Sequence, residues 1–105
     1  MNTIKNGKVR CIVFQEENTW YGVALEFNIV VEGDDKDVVN FNLQEAIRGY
    51  VQSLKKVKGF RAGTETAALN QTTEQEYENM WDSLQSNKPV PSPIQQVGYY
   101  GVAFV

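Results

Sequence analysis

Acidic side chains are the residues of this sequence best placed to do chemistry. Glu32, Asp34, Asp35 and Asp37 fall within six positions, and carboxylates at that density can hold Mg²⁺ or Ca²⁺. Their spacing matches no calcium-binding loop. They stand immediately before a helix-periodic segment, so they are expected to form a solvated turn that caps a helix. Histidine is absent, which removes the commonest general base, the triads built on it and most catalytic zinc sites. The one cysteine, Cys11, lies in the apolar run Val9–Phe14 and is expected to be a small core residue. It can form no internal disulfide, which fits a reducing compartment. Gly98 and Gly101 do not make a phosphate-binding pattern, and no GxGxxG or P-loop spacing occurs. A non-enzymatic protein is expected, without catalytic residues, metal or cofactor.

Two groups of aromatic residues could instead bind something. Tyr99, Tyr100 and Phe104 lie in an apolar C-terminal segment. If that segment is an edge strand, the three would form a partner-binding surface. Trp20 and Trp81 could line a pocket, the basis of an alternative reading as a small-molecule or nucleotide-binding regulatory domain. The net charge of −3 and the lack of any basic stripe argue against direct nucleic-acid binding, because phosphate neutralisation needs clustered Lys and Arg. No apolar run approaches the ~20 residues that span a bilayer. The first eight residues lack the apolar core of a signal peptide, so a cytoplasmic protein is expected.

The length of 105 residues and apolar content of 42% suit one domain over residues 1–105 with a modest core. Its organising segment is Val38–Val57. Val39, Leu43, Ala46, Tyr50, Leu54 and Val57 recur at spacings of three and four, with Ile47 and Val51 widening the stripe. That is the period of an amphipathic helix. Asp34, Asp35 or Asp37 supplies the N-cap, Lys55, Lys56 and Lys58 suit the last turn, and Gly59 suits the stop.

Before this helix, Val9–Phe14 reads as a strand, Gln15–Thr19 as a hairpin loop with Asn18 in the turn, and Trp20–Phe27 as a second strand. Tyr21, Val23, Leu25 and Phe27 share one face, expected to lie under the helix; Trp20, Gly22, Ala24 and Glu26 share the other. Asn28–Glu32 reads as a third strand, with the break near Glu26–Asn28, since one run of ~13 residues would exceed normal strand length. After the helix, Phe60–Gln71 reads as a loop. Thr73 and Glu76 form a capping box for a shorter helix, Thr73–Gln85, whose stripe is Tyr77, Met80, Trp81 and Leu84. Asn87 and Pro89 end it, an extended proline-containing stretch follows, and Val97–Val105 reads as the last strand.

A hairpin, a third strand, a Gly33-Asp34 step and then a helix with Leu43-Gln44-Glu45-Ala46-Ile47-Arg48-Gly49-Tyr50 resembles the HicB-like antitoxin family. The aromatic-glycine start of strand two, Trp20-Tyr21-Gly22, is similar as well. The resemblance covers residues 9–58. The family's proline-rich segment before the Gly-Asp step is replaced here by Ala24-Leu25-Glu26-Phe27-Asn28-Ile29. The resemblance implies a module that binds and neutralises a small, basic, RNA-cleaving toxin. Residues 60–105 contain no basic recognition helix, so no separate DNA-binding domain is expected.

The expected fold is therefore α+β with HicB-like character. A three- to four-stranded antiparallel sheet, in the order β-β-β-α-α-β, packs on one long helix. The expected behaviour is a protein-binding homo-oligomer with no membrane association.

Overall fold

The computed structural model describes residues 7–56, 70, 71, 74–89 and 94–104. The expected helix stop at Gly59, most of the Phe60–Gln71 loop, the Thr73 half of the capping box and most of the proline-containing stretch lie outside these residues.

The chain is α+β, with a four-stranded antiparallel sheet and two helices. Strand β1 (Lys8–Glu16) is followed by β2 (Thr19–Ala24), a 3₁₀ turn (Leu25–Phe27), β3 (Ile29–Gly33), helix α1 (Lys36–Lys56), helix α2 (Gln75–Gln85) and β4 (Ile94–Phe104). The strand order is β3-β2-β1-β4, so β1 is central and β4 is an edge.

Local chemistry explains the boundaries. Glu17 and Asn18 both have positive φ, 51° and 63°, and join β1 to β2 in a two-residue turn. Left-handed turn residues match the twist of an antiparallel hairpin. Asn28, at φ 54°, ends the 3₁₀ turn and starts β3, which places the break within the expected stretch. Asp35 is the residue that caps α1: its Oδ1 accepts from the backbone N–H of Asp37 at 2.8 Å and of Val38 at 3.0 Å. At the second helix Glu74 occupies the N-cap position without a side-chain cap.

The layering departs from one long helix on one sheet face. Helix α1 covers one face over Val9, Cys11, Val13, Trp20, Ala24 and Phe27, using Val39, Leu43, Ile47 and Val51. Helix α2 covers the opposite face, where Met80 packs with Ile12, Phe14, Val23 and Leu25, and Tyr77, Trp81 and Leu84 lie alongside. The sheet is a middle layer between two helices. Gln71 ties to both the 3₁₀ turn and α1. Its backbone N–H donates to the Glu26 carbonyl at 2.7 Å, and its side-chain amide donates to the Tyr50 hydroxyl at 2.6 Å.

The two faces of β2 are also exchanged relative to expectation. Pairing sets Gly22 opposite Val13 and Ala24 opposite Cys11, so these small residues face α1. Tyr21 and Val23 face α2. The reason is close approach. A Cβ on Gly22 would stand 3.1 Å from Val39 Cγ1 and 3.3 Å from Leu43 Cδ2. The helix therefore descends onto the small side of the strand, and the bulky side fills the space under α2. The 3₁₀ turn then breaks the alternation: Leu25 joins the α2 core, and Phe27 joins the α1 core with its ring 4.8 Å from that of Tyr50.

Two glycines on the faces of α1 and β2 test this packing. Gly22→Val should lower stability by about 1–3 kcal/mol through overpacking. Gly49 faces open space on α1, and Gly49→Ala should raise stability by about 0.5–1 kcal/mol through helix propensity. Urea denaturation of both variants measures the two effects.

Candidate protein-binding edge

Strand β4 pairs with β1 along nearly its whole length, from Lys8–Phe104 to Glu16–Ile94. Its opposite edge carries no strand among the described residues. Ile94–Phe104 contains no charged residue and no proline, the devices that usually guard an exposed edge. The other edge of the sheet differs: β3 has five residues and carries Glu32.

The register distributes the side chains of β4 between the faces. Tyr99 pairs with Val13 and lies on the α1 side, whereas Tyr100, opposite Ile12, lies on the α2 side. Gly98 sits in an irregularity of the register between these pairs and Phe14–Val97. A Cβ there would meet the Trp20 ring at 3.0 Å and Lys36 Cδ at 3.3 Å. Glycine thus lets β4 close over Trp20.

The three aromatic side chains on the edge each have an anchor. The Tyr99 hydroxyl donates to Asp37 Oδ1 at the start of α1, and Lys36 Nζ lies 5.9 Å from the Tyr99 ring centre. The bond to the Asp37 carboxylate holds the Tyr99 hydroxyl above its ordinary pKa. Tyr100 meets Trp81 of α2 edge-on, with ring centres 6.2 Å apart. Lys8 Nζ stands 5.8 Å from the Phe104 ring centre. Even so, Tyr99, Tyr100 and Val102 remain exposed, and Phe104 is 77% exposed. The three aromatic residues expected to meet a partner therefore belong to one strand edge, distributed over both its faces. Val102 joins them; its place in the alternation of the last strand was the signal for it.

Helix α1 lies mainly across β2 and β3. Beside it, an open groove of about 210 Å³ runs between α1 and β4, lined by the apolar Ile47, Val51, Ala103 and Phe104 and the polar Gln44, Arg48 and Gln52. Cys11 lies at a neighbouring depression. Its thiol is buried, which pushes its pKa up to about 11, with the Gln44 side-chain amide 3.9 Å from Sγ. A protonated, buried thiol suits the core and not nucleophilic chemistry.

Trp20 and Trp81 lie in separate hydrophobic clusters on opposite faces of the sheet. Trp20 is buried under α1, and Trp81 flanks the α2 core, so one pocket shared by both is not formed. The acidic group is divided as well. Asp35 caps α1 and Asp37 accepts from Tyr99. Among the described residues no group of Cys, Asp and Glu is arranged to hold a metal ion, and no helix is long and apolar enough to cross a membrane.

A polar clamp supports the edge from behind. Arg10, next to Val102 across the β1–β4 ladder, donates to both carboxylate oxygens of Glu78 at 2.7 and 2.8 Å, and through Nε to Glu26 at 2.6 Å. Its backbone N–H also donates to Glu26, at 2.7 Å, and its guanidinium lies 5.8 Å from the Trp81 ring centre. A bidentate pair fixes geometry as well as charge. It ties α2 to the centre of the sheet and holds Trp81 near Tyr100.

No protein-family model, curated protein or solved structure matches this chain.

The hydrogen bonds from Arg10 lower the pKa of Glu78 below its ordinary value of 4.5. The pair's contribution to stability is therefore fully present above pH 4.5 and is lost as pH falls through the lowered value. Glu78→Gln should remove that dependence. Urea titrations at pH 3 and pH 6 should show a larger acid loss for the wild type than for the variant.

Proposed function

We propose that this chain is a non-enzymatic protein-binding module of HicB-like character, which engages a protein partner along the outer edge of β4. The supporting observation is an eleven-residue edge strand without charge or proline that presents Tyr99, Tyr100, Val102 and Phe104 to solvent. An open edge offers backbone N–H and C=O groups to an incoming strand. The alternating side chains then supply selectivity.

The partner in this reading is a small, basic, RNA-cleaving toxin, which the module would silence by occupying its surface. Three things support it: the hairpin, third strand and helix of residues 8–56, the helix pattern Leu43–Tyr50, and the acidic balance of the chain. A net charge of −3 assists encounter with a basic protein but does not select it. A small-molecule function draws no comparable support, since Trp20 and Trp81 occupy different layers.

The test is binding to a small basic protein encoded beside this chain, followed by light scattering after gel filtration and by an RNA-cleavage assay. A stable complex in which cleavage stops is expected. Tyr100→Asp should weaken that complex by roughly tenfold or more, as expected on replacing an aromatic contact within the strand by a desolvated carboxylate. Undiminished cleavage in the presence of excess chain would end the antitoxin reading.

A further inference from the structure

We infer that, without a bound partner, the β4 edge is covered by a second copy of this chain. The two β4 strands pair antiparallel about a two-fold axis perpendicular to the sheet, giving one eight-stranded sheet. The inference rests on the proposed use of the β4 edge and identifies what occupies it in the free protein.

Symmetry supplies the first argument. A two-fold axis through paired β4 strands places residues near the axis beside themselves in the other copy. A charge there would face its own duplicate, which is destabilising across a strand pair. Ile94–Phe104 contains no charge, so the strand can pair with itself without that repulsion.

The side chains supply the second. The axis carries each face of the sheet onto the same face of its copy. Tyr100 and Val102, with Phe104 next in the alternation, would thus meet their counterparts on the α2 side. Tyr99, Gly101 and Ala103 would meet theirs on the α1 side. Aromatic and β-branched cross-strand pairs are the favourable ones. No other edge of the sheet offers this. Strand β3 is short, and its Glu32 would approach its own copy in the equivalent arrangement.

Area sets the strength. An aromatic side chain buries roughly 150–250 Å², and Tyr99, Tyr100 and Phe104 are exposed to 41%, 49% and 77%. With Val102 and the strand backbone, the contact covers on the order of 400–600 Å² per copy, below the ~800 Å² per partner of a standard stable interface. The dimer is therefore reversible. It shields an edge that would otherwise invite aggregation, and it yields when a tighter partner arrives.

Sedimentation velocity of the full chain over a hundredfold concentration range tests this directly. A monomer–dimer equilibrium in the micromolar range is expected. Val102→Lys should shift it to monomer, while Val30→Lys, on the exposed face of β3, should leave it unchanged. Hydrogen exchange of the unmodified chain needs no variant: alternate amides of β4 should exchange more slowly at high concentration, and those of β3 should not. A chain that stays monomeric throughout, or a dimer that ignores Val102→Lys and leaves β4 exchange unaltered, overturns the inference. Toxin binding by such a monomer would leave the proposed function standing, whereas a β4 dimer that binds no toxin would leave the pairing standing alone.

Discussion

Burial of β1 on both faces is the constraint from which the other positions follow. Val9, Cys11 and Val13 point into one core, and Ile12 and Phe14 into the other. A strand apolar on both sides needs a cover on both sides. Helix α1 supplies one and α2 the other. Flanked by β2 and β4, β1 also has its backbone groups paired along both edges. Arg10 is the polar exception, and it is used. Its guanidinium spans Glu26 and Glu78, so a charged side chain within the central strand becomes the link between sheet and α2.

The position of β4 is a consequence. The hairpin to β2 occupies one side of β1, and the other side is left for the C-terminal segment. That segment pairs through Lys8–Glu16, and its second edge meets no strand among the described residues. The aromatic residues there are not a loose cluster. Tyr99 is tied to α1 through Asp37, and Tyr100 rests on Trp81, which Arg10 helps to hold. The two helices thus brace the exposed edge from opposite faces. Such bracing limits the side-chain entropy lost when a partner docks. It also explains why an edge this apolar can be presented in a defined shape.

Periodicity and local turn chemistry made the main elements legible in the sequence. The spacing of Val39, Leu43, Ile47 and Val51 admits only a helix with one apolar stripe. Asp35 is placed to accept from the first free amides of that helix. Asn18 marks the hairpin turn because asparagine tolerates left-handed backbone at low cost; the break before β3 was legible from strand length, and the left-handed Asn28 that makes it was not. The apolar alternation of the last segment made a strand, and with it the set Tyr99, Tyr100 and Phe104. The absence of histidine removed histidine-based catalysis at the same level.

Tertiary structure decided what periodicity leaves degenerate. An alternating strand has two faces, and its pattern does not say which meets which helix. For β2 the choice fell to Gly22 and Ala24, whose small size lets Val39 and Leu43 of α1 approach β2 closely. Nor does an amphipathic stripe name the surface it buries: Tyr77, Met80, Trp81 and Leu84 could have extended the α1 core, but β1 presented a second apolar face for them to cover. The separation of Trp20 from Trp81 follows from the same layering. The sequence by itself determined the main elements, the acidic cap of α1 and the aromatic content of β4. Packing determined their sides, because burial of the two faces of β1 is a property of the whole sheet and of no single segment.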